Sequence, residues 1–161
     1  YDFVVIDTSA YLSDVALALL DAADRIVLVT QQNLASLKNV SRFFDLTESL
    51  NYEPQKVWLV VNHTSNKQGI SVKDISDTLK RPIVMTIPED DAAANAAADR
   101  GIPLVTGANQ KRPVSVALTN LADHATQELV TGRVTAGKVS SPEKSIGFFG
   151  RLFGRRARAG G

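Results

Sequence analysis

The chain carries polar residues of chemical use at the ends of short apolar runs. Asp7-Thr8 follows DFVVI (2–6), Thr30-Gln31-Gln32 closes RIVLVT (25–30), Asn62-His63 follows KVWLVV (56–61), and Pro88-Glu89-Asp90 follows PIVMTI (82–87). A carboxylate directly after a strand suits a hard cation such as Mg²⁺, which demands oxygen ligands and often sits beside a phosphate. The same position also suits an ordinary cap on a loop or helix, so Asp7 alone does not decide between the two. Other chemistries are poorly served. There is no cysteine, which excludes disulfides, thiolate metal sites and thiol nucleophiles. His63 and His124 lie far apart without metal-ligand spacing and read as surface or loop residues. Ser9 and Ser13 sit in no nucleophile elbow, and Trp58, on an apolar run, reads as core.

The elements that must position these residues follow from periodicity. Val- and Ile-rich runs without alternation suit strands buried on both faces, as in a parallel sheet. Between them, Ser13 or Asp14 can cap a helix bearing Val15, Leu17, Leu19 and Leu20, and Ala35 to Leu50 sets Leu37, Val40, Phe43, Phe44, Leu46 and Leu50 largely on one side. Ser71 with Asp74 has the spacing of a capping box, opening a helix through Leu79 that Arg81-Pro82 closes. Asp90 to Arg100 reads as an Ala-rich helix stopped by Gly101, and Pro113 begins a last helix through Leu129 or Val130. The order βαβαβαβαα implies a doubly wound, mostly parallel α/β sheet with helices on both faces, and such sheets bind ligands at the carboxyl ends of their strands.

Charge divides the chain. Residues 1–137 hold 12 Lys/Arg against 16 Asp/Glu, whereas residues 138–161 hold 6 basic residues and only Glu143. A mildly acidic body is not a nucleic-acid-gripping surface. No run of 18 apolar residues reads as a membrane span, and the N-terminus shows no signal-peptide pattern. Residues 131–145 are rich in Gly, Ser and Thr and read as a linker. Three segments are therefore expected: a folded portion over 1–130, the linker 131–145, and a basic amphipathic tail over 146–161.

Beyond these readings, DFVVIDTSAYLSDVALALLDAADRIVLVTQQNLASLKN resembles the Walker B segment and following strand of the ParA/MinD family of deviant P-loop ATPases. LVVNHTSNKQGISVKDISDTLKRPIVMTIPEDDAAANAAADRGIPLV extends the likeness and is most similar to the pilus-assembly branch, the CpaE/TadZ proteins. Several motifs match in order over roughly residues 1–130, the span of the quoted stretches and the helix after them. The resemblance implies that Asp7 is the Mg²⁺-associated Walker B aspartate and that Asn62 reads adenine, an amide being able to offer donor and acceptor together. It implies that Pro88, Glu89 and Asp90 form the loop beside the base, although acidic residues at a helix N-terminus are stabilising whatever the function. No catalytic residue is assigned.

Two departures matter. Ser9 stands where many family members have proline, and no glycine-rich loop ending in Gly-Lys-Ser/Thr is present. The family places that phosphate loop upstream of Walker B. The chain is thus expected to be the C-terminal part of such an ATPase, unable to hydrolyse ATP efficiently alone. With ATP and Mg²⁺ the intact protein is expected to form a homodimer and act as a positional switch, localising pilus-assembly or polar proteins. A septum-site or DNA-partitioning ATPase, or a nucleotide-independent scaffold, are the alternatives.

The tail SIGFFGRLFGRRARAGG (145–161) places Ile146, Phe149 and Phe153 at helical spacing beside Phe148 and Leu152, with Arg151, Arg155, Arg156 and Arg158 supplying charge. Such a segment can bury its aromatics at an acyl boundary and leave its arginines among anionic headgroups. Gly147, Gly150 and Gly154 each cost about 1 kcal/mol of helix propensity, so any helix must be induced by its partner. The tail resembles the membrane-targeting C-terminus of MinD proteins, which implies a cytoplasmic protein held peripherally on the inner face of the cytoplasmic membrane. Docking on a protein groove is the alternative.

Overall fold

A computed structural model describes residues 1–136 apart from Gln68, with side chains through Val130. Three strands, β1 (Ile26–Thr30), β2 (Val57–Thr64) and β3 (Ile83–Pro88), form a parallel sheet in the order β1-β2-β3. Around them lie helices α1 (Asp14–Ala22), α2 (Leu34–Ser49), α3 (Val72–Leu79), α4 (Asp91–Arg100) and α5 (Pro113–Ala136).

Local chemistry sets most helix ends. Ser13 caps α1 by accepting from the Ala16 N–H, and Asn33 caps α2 by accepting from Ser36. Ser71 and Asp74 make the complete capping box: each side chain accepts from the other's backbone N–H. α3 ends on Lys80 in the left-handed region (φ 51°) and α4 on Gly101 (φ 61°), the second at no Cβ cost. α5 starts at Pro113 and runs to Ala136, past the end expected at residue 129 or 130. Its continuation covers the first residues of the expected linker.

The sheet is packed on both faces. Leu59 and Val61 meet Leu37, Val40 and Phe44 of α2 and Ile75 of α3 on one side, while Val60 meets Val114 and Ala117 of α5 on the other. Between Leu59↔Ile83 and Val60↔Met85 the register advances two residues on β3 for one on β2. This bulge inverts the alternation of β3, so Ile83 packs under α2 and α3 whereas Met85 and Ile87 pack under α5. Trp58 is buried as expected, with the His124 ring centroid 4.9 Å away and the Arg25 guanidinium 5.7 Å from its ring. At the opposite corner Tyr52 donates to the Asp21 carboxylate (2.6 Å) and Lys56 to the Asp21 carbonyl (3.0 Å), which ties α1 to the entry of β2. Burial, reinforced by the Asp21 hydrogen bond, pushes the Tyr52 phenol above its ordinary range.

One expected strand does not form. Residues 1–9 have no regular structure, and Val4, Val5 and Ile6 are exposed, Val5 at 95%. β1 is an edge of the three-stranded sheet and is open on one face. Val27 and Val29 of β1 are also exposed, so the face that α5 covers over β2 and β3 is open at β1. A parallel strand needs cover on both faces, and a strand laid outside β1 would lack it on that side.

Candidate functional site

The exits of β2 and β3 are built from one irregularity. Between Val61↔Thr86 and Thr64↔Pro88 the register advances three residues on β2 against two on β3, so Asn62 and His63 carry an extra residue. His63 takes φ 58°, a conformation that His and Asn tolerate better than most residues. The Asn62 side-chain oxygen accepts from the His63 N–H at 2.8 Å. Pairing resumes at Thr64, whose hydroxyl donates to the Ile87 carbonyl (3.2 Å) and whose carbonyl accepts from the Glu89 N–H (3.0 Å). A bulge of this kind re-aims side chains at the end of a strand.

Opposite stands the start of α4. Asp90 is its N-cap, accepting from the Ala93 N–H at 3.2 Å, and its two carboxylate oxygens also take Arg112 Nε and an Arg112 terminal nitrogen at 2.5 and 2.7 Å. The Arg112 guanidinium beside Asp90 holds its carboxyl below the ordinary carboxylate range. Asp90 therefore serves structure, joining α4 to the residue that precedes α5. Asp91, the first residue of α4, reaches His63 Nε2 at 2.8 Å. That hydrogen bond raises the imidazole above its ordinary pKa.

Beside these groups a cavity of about 600 Å³ opens at the strand exits, lined by Gln32, Thr64, Ser65, Ser71, Lys73 and Pro88 among others. Buried Gln32 organises it: the amide nitrogen donates to the Ile70 carbonyl (2.9 Å) and the amide oxygen accepts from the Ser65 N–H (2.7 Å). The residue after the β1 exit is thereby tied to both ends of the loop between β2 and α3.

The expected site residues thus divide. Pro88 lines the cavity, whereas Asn62, Glu89 and Asp90 lie outside its wall. The Asn62 side-chain oxygen spends one of its two lone pairs on the His63 N–H, which leaves the amide able to act as donor and acceptor. Asp7 lies exposed in the irregular segment 1–9 and not at a strand tip. Ile146, Phe148, Phe149, Arg151, Leu152, Phe153, Arg155 and Arg156 lie outside the described residues. Of the organising residues, Gln32 and His63 were marked in the sequence only as polar strand exits, and Arg112 was not marked. Their partners are 22 to 38 positions away, beyond any local pattern.

A parallel sheet with helices on both faces and polar strand exits defines a P-loop NTPase-like α/β fold. Over 127 residues, 76% of this chain and 46% of the relative, the sequence is 25% identical to septum site-determining protein MinD of Thermotoga maritima. Over 157 residues, 96% of this chain and 56% of the relative, it is 27% identical to an ATP-binding protein of Methanocaldococcus jannaschii. Among solved structures, the MinD cell division protein of Aquifex aeolicus is similar with TM-score 0.57 and 25% identity, covering 82% of this chain and 52% of that one. A ParA family ATPase from Chlorobium tepidum shares the fold with TM-score 0.63 and 22% identity, over 70% and 46%. No family model matches the chain. The chain spans about half the length of the curated relatives it matches. These likenesses are to MinD proteins, an ATP-binding protein and a ParA family ATPase.

For ATP the fit is partial. The cavity, with Pro88 in its wall, suits a base. Asp7 follows no strand, and no glycine-rich phosphate loop is present in the sequence.

Proposed function

We propose that this chain supplies the base-binding half of a ParA/MinD-type ATPase domain. The observation that carries the reading is the pairing of the Asn62-His63 bulge with the Pro88-Glu89-Asp90 loop at neighbouring strand exits of a parallel sheet. Asn62 would donate to the base, Pro88 would form part of the wall, and Glu89 and Asp90 would hold the loop through backbone and capping contacts. The phosphates and Mg²⁺ would need a glycine-rich loop joined to this chain, with Asp7 raised to a strand tip beside it.

In the intact protein, ATP with Mg²⁺ would stabilise a homodimer, and hydrolysis would reset it. The tail would then anchor the dimer on the cytoplasmic membrane, because two weak anchors in one particle bind far more tightly than one. No helix among the described residues is long and apolar enough to cross a membrane, so the tail is the element proposed for attachment. Of the branches, a CpaE/TadZ-like role in placing pilus-assembly machinery is supported by the resemblance of the stretch from Leu59 to Val105. A septum-site role has its own support in the MinD relatives, one of which is seen in a MinC:MinD complex from Aquifex aeolicus.

Sedimentation with anionic vesicles tests the switch. With a phosphate-loop segment joined to this chain, Mg²⁺ and ATP should increase vesicle binding, and removal of residues after Lys144 should abolish it. Nucleotide-independent binding would favour the scaffold, and equal binding without the tail would remove the membrane role.

A further inference from the structure

We infer that His63, Glu89 and Asp91 form a binding site for a divalent transition ion, with zinc the expected occupant. Among the described residues, these three bring one ligand atom each within 4.8 Å of one another. The inference stands on this chain's own side chains and is independent of nucleotide binding.

Three features favour a metal over a plain ion pair. The donor set is mixed: one imidazole with two carboxylates suits a borderline ion such as Zn²⁺, whereas Mg²⁺ and Ca²⁺ prefer oxygen alone. The ligands also come from separately anchored backbone. His63 sits on the β2 bulge, whose next residue is paired to Pro88; the Glu89 N–H is held by the Thr64 carbonyl; Asp91 opens α4, fixed through the Asp90 cap and Arg112. A site built on anchored elements needs little ordering when the ion arrives. Finally, the local charge is right. Arg112, which could compete for the carboxylates, is occupied by Asp90.

On binding, the ion would take the place of the proton between His63 Nε2 and Asp91 Oδ1, leaving a neutral imidazole that carries its proton on Nδ1. Glu89 would supply the third ligand, and water would fill the remaining position. His63 and Asp91 side chains are 37% and 65% exposed, so the site is open to exchange. Occupancy would staple the β2 exit to the start of α4.

Zinc chloride titration against a chromophoric chelator tests this with the full chain. The wild type should retain one equivalent, and NMR shifts on zinc addition should centre on residues 62–64 and 89–91. His63→Asn keeps a residue tolerant of the left-handed backbone and should weaken retention by about tenfold or more, as should Glu89→Gln with Asp91→Asn. His124→Gln should leave it unchanged. Melting in EDTA checks that each variant is folded. No retention by the wild type, or equal retention by folded His63→Asn, would overturn the site.

Discussion

The β2–β3 side of the molecule and the β1 side obey different rules. Around β2, Leu59, Val60 and Val61 are at most 1% exposed, enclosed by α2 and α3 on one face and α5 on the other. At β1, Val27 and Val29 lie 45% and 55% exposed, and the apolar residues 3–6 have no strand to join. Both regions carry the same kind of sequence, a short Val/Ile-rich run. The difference is cover: an apolar run becomes a buried strand only where neighbouring elements close both of its faces.

The largest effect that sharpens this contrast is on stability. Leu59→Ala or Ile75→Ala should cost roughly 2–5 kcal/mol in chemical denaturation, since each empties a fully enclosed position. Val29→Ala or Val5→Ala should stay within about 0.5 kcal/mol. A comparable loss at Val29 would mean that the open face is covered in solution. A smaller effect is expected at the α3 cap, where Ser71→Ala should cost about 1 kcal/mol, read by the same method.

The smallest is a pH effect. Hydrogen bonds from the Ser71 hydroxyl and backbone hold the Asp74 carboxyl below its ordinary value. A depressed carboxylate stabilises the fold above its unfolded pKa, and that contribution is lost as pH falls through the folded one. Asp74→Asn should therefore flatten the acid limb of the stability curve below the ordinary carboxylate range while leaving its neutral shape alone. An unchanged acid limb would show that the box does not persist in solution.

Most of the fold was legible because its signals are local. Ser71 with Asp74, Pro113 and Gly101 each act within a turn of their own position. The apolar runs correctly marked β1, β2 and β3, each of which pairs within the sheet. Residues 2–6 carried the same signal and formed no strand, because burial depends on neighbours that a run cannot specify. The candidate site was legible only as polar residues at strand exits. That Asn62 turns its carbonyl on His63, and that His63 meets Asp91 across 28 positions, follows from a bulge in the β2–β3 register. No composition or spacing encodes that bulge, and Asp90 was legible as a cap but not as the partner of Arg112.

The central claim is that the strand exits read a nucleotide once the open side of the sheet is closed. Hydrogen exchange with and without Mg²⁺ and ATP, on this chain joined to a phosphate-loop segment, tests it most directly. Protection should appear in residues 2–6 as their strand forms, and nucleotide should add protection at 62–64 and 88–91. Strong protection elsewhere with no change at 62–64 and 88–91 would contradict the account.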